Sequence, residues 1–172
     1  MHDASIAVIP AGYRALLADL VDMAVRLLAR GGSVPCSYYI GCSDKRVLQE
    51  LPIDSGSAQT KHMSATLAQA QAVVLDADFV IVTSESWAMP SEQVHLMDAV
   101  LAQYGSVAAY PERVDVAWFY LETREGLFTG TAPISQPLPT RNRRTMGKVT
   151  WLRGDVATGT LTGILPKRPR TS

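Results

Sequence analysis

Apolar positions are densest between Val114 and Ile134, on both sides of a short turn at Arg124-Glu125-Gly126. β-Branched and aromatic residues flank that turn, which is the pattern of a β-hairpin. In its first arm Val114, Val116, Trp118 and Tyr120 fall on one face, and Ala117, Phe119 and Leu121 on the other. A strand apolar on both faces is covered from both sides, so this arm is expected in the middle of a sheet.

The remaining elements read as neighbours and cover for that hairpin. From Pro10 to Arg30, Leu16, Leu17, Leu20, Val21, Ala24, Leu27 and Leu28 recur at three- and four-residue steps, predicting a helix stopped by Gly31-Gly32. Ser37 to Ile53 predicts a hairpin turning at Ser43-Asp44, with Pro52 ending its second arm or placing it at an edge. Ser57 to Leu75 predicts a second helix, capped by Ser57, with Met63, Leu67, Ala70 and Val74 as an apolar stripe and Asp76-Ala77 as its end. Phe79 to Thr83 is a short apolar run and predicts a second central strand, which Ser84-Glu85-Ser86-Trp87 is expected to leave. Ser91 is placed as the cap of a third helix, Glu92 to Tyr104, with Val94, Met97 and Leu101 on one face. Pro133, Pro137 and Pro139 predict an extended stretch outside any ladder, within a Pro/Arg-rich segment at 133–148. Lys148–Arg153 and Val156–Leu165 then predict a last hairpin around Gly154-Asp155, followed by a basic tail at 166–172.

Strands arrive mainly as adjacent hairpins and helices fall between hairpins. The expected fold is α+β: one domain over residues 1–172, a largely antiparallel sheet of about six or seven strands, and three helices packed on it. No apolar run approaches the ~20 residues that cross a bilayer, and the N-terminus lacks a basic region followed by an apolar core, so no membrane contact and a cytoplasmic location are expected. Cys36 and Cys42 would lie ~20 Å apart on an extended strand, against the ~7 Å a disulfide allows, so both are expected as reduced thiols.

Charge changes the picture more than composition does. The chain carries 16 basic and 16 acidic residues, but residues 1–137 hold 8 Lys/Arg against 15 Asp/Glu and residues 138–172 hold 8 against one. That split of −7 and +7 fits a basic segment lying on its own acidic body, or an arm for an acidic partner. Arg141, Arg143, Arg144, Lys148, Lys167, Arg168 and Arg170 are the candidate partner contacts. Such clusters can neutralise phosphates, which makes nucleic acid one partner class. No helix-turn-helix, OB or RNP pattern accompanies them.

Catalytic signatures are not evident. Gly31-Gly32 follows a helix instead of opening one, so it is not a phosphate loop. His2, His62 and His95 are scattered without a second ligand at i+4, and no metal or cofactor is predicted. The polar cluster Ser84, Glu85, Ser86, Trp87 at a strand end is the candidate binding site, joined by Arg113 from Tyr110-Pro-Glu-Arg113. Glu85 there could act as a general base; serines bonded to the turn backbone under a covering tryptophan explain the same residues.

The run Val82-Thr-Ser-Glu-Ser-Trp87, with Pro111-Glu-Arg113 before an apolar strand, resembles a pattern in small uncharacterised bacterial and phage α+β proteins. There a strand ends in Ser-Glu-x-Trp and a Pro-x-Arg precedes the next strand. The resemblance covers about the middle half of the chain. It implies no activity, but implies that those two stretches are paired in space. The missing catalytic constellation and the −7/+7 split lead to the expectation of a non-enzymatic interaction or assembly protein, of phage or mobile-element origin, that meets a protein partner or its own copies through sheet edges and its basic C-terminal segment. A nucleic-acid-binding protein and a small-molecule enzyme using Glu85 are the alternatives.

Overall fold

A computed structural model describes residues 4–135, 143–154 and 161–166 of the chain. Among these, seven strands form one antiparallel sheet: β1 (Ser37–Cys42), β2 (Val47–Pro52), β3 (Phe79–Ala88), β4 (Val114–Thr123), β5 (Gly126–Ser135), β6 (Thr145–Met146) and β7 (Thr150–Gly154). Their order is β2-β1-β3-β4-β5, with β6 and β7 both pairing β5. The fold is α+β, as the hairpin pattern predicts, and β4 lies inside the sheet between β3 and β5.

Helices α1 (Ala11–Ala29) and α2 (Ala58–Leu75) cover opposite faces. On the α1 face, Leu17, Leu20, Ala24 and Leu28 pack with Ile81, Ala117, Phe119, Leu121 and Trp151. On the α2 face, Ala65, Ala68 and Ala72 pack with Tyr38, Ile40, Val80, Val82 and Tyr120. The alternation read from β4 is therefore the division between two cores. Fully burying a large apolar side chain stabilises by roughly 1.5–3 kcal/mol, and β4 contributes such side chains to both layers. Helix α3 (Met97–Tyr104) sits off the sheet faces, preceded by a 3-10 turn at Ser91–Leu96, and buries only Val100.

The helix ends follow local chemistry. At the end of α1 the Gly32 N–H donates to Leu27 O and the Gly31 N–H to Leu28 O, with Gly31 at φ 81°. That is the paired closure a C-terminal glycine permits. Ser57 begins α2 with a reciprocal cap: its Oγ accepts from Thr60 N–H at 3.0 Å, and Thr60 Oγ1 accepts from Ser57 N–H at 3.0 Å.

Several expectations need correction. Strand β3 does not stop at Thr83; it runs through Ser84–Trp87 to Ala88, because each of those residues pairs with β4. Ser91 caps nothing; it opens a 3-10 turn and its Oγ donates to Glu92 Oε2. Pro133 lies within β5 opposite Val116, in the gap where β7 pairing has ended at Thr131 and β6 pairing begins at Ile134, so its missing N–H interrupts neither. Residues 161–165 are not strand, while the rest of that predicted arm, 156–160, lies outside the described residues.

The apolar stripe of α2 also points away from the sheet. The helix docks by Ser64, Ala65, Ala68 and Ala72, whose small side chains let it approach closely, and Met63, Leu67 and Val74 are left 57%, 59% and 77% exposed.

Candidate functional site

Ser84, Glu85, Ser86 and Trp87 all line one cleft of about 660 Å³ at the far end of β3. The cleft forms because β1 begins opposite Thr83, so the last five residues of β3 pair only with β4. The chain before β1 crosses that gap, bringing Val34 and Cys36 to the wall, and the start of α2 brings Lys61. Strand alternation divides the cluster. Ser84 and Ser86 stand opposite Trp118 and Val116, while Glu85 stands opposite Ala117, which belongs to the core beneath α1.

Glu85 is held by three donors. Its Oε1 accepts from the Val34 N–H at 2.7 Å and from Arg144 Nη1 at 3.1 Å, and its Oε2 accepts from Arg144 Nη2 at 2.5 Å. The pair is a fork-to-fork ion pair, the strongest geometry for these groups. Its side chains are only 19% (Arg144) and 25% (Glu85) exposed. Arg144 is fixed in turn by its own backbone N–H, which donates to Leu28 O at the end of α1. The bridge thus ties β3, the α1 terminus and the segment entering β6. As chemistry this is an anchor: donors already occupy both carboxylate oxygens.

Arg113 does not reach Glu85. Its guanidinium lies over the Trp87 ring at 5.8 Å, and Nη1 donates to Tyr110 O. The Trp87 and Pro111–Arg113 stretches are therefore neighbours, and Trp87 remains 52% exposed. Of the proposed basic contacts, Arg143 and Lys148 are exposed, Arg144 is spent on Glu85, and Arg141, Lys167, Arg168 and Arg170 lie outside the described residues.

Two groups escape sequence reasoning. Lys61 enters the cleft from a predicted helix, with nothing local to mark it. It sits near the free thiol of Cys36, whose pKa is raised by burial and partly restored by that ammonium. Glu122 did carry a signal, as an acid directly after the apolar run 116–121 of β4. It is 7% exposed, and its two oxygens accept from Ile164 N–H at 2.9 Å and Leu165 N–H at 3.2 Å. Desolvation pushes its carboxyl above the ordinary range, and the backbone donors at Ile164, Leu165 and Gly163 pull it partly back. Arg124 adds a bond to Pro166 O, so residues 163–166 are strapped across the α2 face.

Among the described residues no group of three His, Cys, Asp or Glu is placed to hold a metal ion, and no helix is long and apolar enough to cross a membrane. No family model, curated protein or solved structure matches this chain.

Proposed function

We propose that this chain is a non-enzymatic interaction or assembly protein. The observation that carries the reading is the outward face of α2, where Met63, Leu67, Val73 and Val74 are 57–77% exposed. Scattered exposed apolar residues are ordinary, but a contiguous stripe of bulky ones along one helix is the mark of an interaction surface. The neighbouring β2 is an edge strand with one side of its ladder unpaired, and Val47 and Leu48 on it are also exposed. The enzymatic alternative draws no support from Glu85, whose oxygens are engaged by Arg144 and Val34. The nucleic-acid alternative loses Arg144 to the same ion pair.

Light scattering on the wild-type protein from about 1 μM to about 1 mM tests the reading across the range in which modest interfaces dissociate. A mass that climbs with concentration is expected. A monomer at every concentration contradicts it.

A further inference from the structure

We infer that the partner of the α2 stripe is a second copy of this chain, with the two α2 helices packed antiparallel across a two-fold axis. This rests on the assembly reading and names its surface and occupant. Met63, Leu67, Ala70 and Val74 are spaced 4-3-4, the seam of two helices that interlock side by side. The helix already docks on the sheet by Ser64, Ala65, Ala68 and Ala72, so the seam is a second and separate face.

The seam is complementary to itself. A two-fold axis midway between Ala68 and Gln69 sets Leu67 against the other copy's Ala70, and Met63 against its Val74. A bulky residue meets a small one at the centre, where helices need ~8–10 Å between axes. The residues flanking the seam, Thr66, Gln71 and Val73, carry no charge, so two copies meet without repulsion there and a strongly charged partner finds no counter-ion. On α2 charge appears only near the helix ends, with Lys61 turned into the Cys36 cleft and Asp76 at the C-cap beside Lys45. The antiparallel arrangement opposes the two helix dipoles; a parallel one aligns them.

The seam runs about 16 Å, three helical turns. It continues into a groove of about 400 Å³, lined by Met63 and Leu67 together with Pro52, Ile53 and Asp54. That surface falls short of the ~800 Å² per partner of a standard interface, so a weak, concentration-dependent dimer is the expected state.

Two variants of exposed positions, Leu67→Glu and Ala70→Glu, test the surface by light scattering, with thermal melting to verify folding. Each is expected to weaken self-association at least about tenfold, because a carboxylate would be buried against the apolar seam. Orientation is read by mixing Leu67→Cys and Ala70→Cys proteins, in a Cys36→Ser background, under mild oxidation. Mixed 67–70 disulfides outnumbering like pairs support the antiparallel seam. Like pairs in excess overturn it. A wild-type dimer that survives both glutamates intact overturns the α2 surface while leaving the assembly reading in place; a wild-type monomer at all concentrations removes both.

Discussion

The carboxylates Glu85 and Glu122 show how the setting of one side chain decides its role. Glu85 meets an arginine fork and a backbone N–H and becomes a joint between elements. Replacing Arg144 by Met leaves that carboxylate half-desolvated with a single donor, and the loss expected is about 2 kcal/mol of unfolding free energy. Adding Glu85→Gln should recover part of it, so a double-mutant cycle in urea is expected to give a coupling above about 1 kcal/mol; additive losses would show the bridge to be incidental. Glu122 works through pH. Its folded pKa is raised, so between the ordinary carboxylate range and that raised value the folded state holds more protons than the unfolded one. Stability therefore falls as pH rises through this window and levels off above it. Glu122→Gln should flatten that slope relative to wild type. It should also cost about 1–3 kcal/mol, because one amide oxygen cannot serve both Ile164 and Leu165 N–H groups. Superimposable pH profiles from urea titrations would count against the assignment.

Among the elements, periodicity locates strands and helices well but says less about which face docks. The β4 pattern resolves both cores because a strand has only two faces, and Ala117-Phe119-Leu121 and Trp118-Tyr120 fall into separate layers. In α2 the same kind of reading finds the helix and its Ser57 cap, yet the bulky stripe is the outer face. Small residues won the sheet contact because alanine and serine allow the helix to sit close. The extent of β3 was hidden for another reason. Ser84 and Ser86 are poor strand formers, and their strand state comes from pairing with β4, a long-range contact with no local mark. The Glu85–Arg144 bridge, spanning 59 positions, was equally illegible, although both residues stood among the candidates. Close approach sets a further requirement in β5. A Cβ at Gly130 would lie 2.6 Å from the Trp151 ring, itself tilted against Phe119 in the α1 core. Gly130→Ala is expected to cost about 1–3 kcal/mol by forcing Trp151 from its seat; an unchanged melting temperature would mean that β7 yields freely.

For the molecule as a whole, the opposed charge of the two chain regions meets, among the described residues, where Arg144 of the basic region closes on Glu85 of the acidic one. With a buried sheet between α1 and α2, apolar side chains left uncovered among the described residues include those on the outer side of α2 and the adjoining β2 edge, besides Trp87, Val94, Leu101 and Leu152 elsewhere. Self-association through an uncharged seam should be nearly indifferent to salt, whereas association driven by the basic segment should weaken as salt screens it. The direct measurement is a dilution series followed by methyl NMR, which reports each apolar side chain separately. The account predicts concentration-dependent shifts concentrated at Met63, Leu67, Ala70, Val73 and Val74, with core methyls such as Ile81 and Leu121 unmoved. Shifts confined to other surfaces, or none up to about 1 mM, where a weak interface of this size is populated, would contradict it.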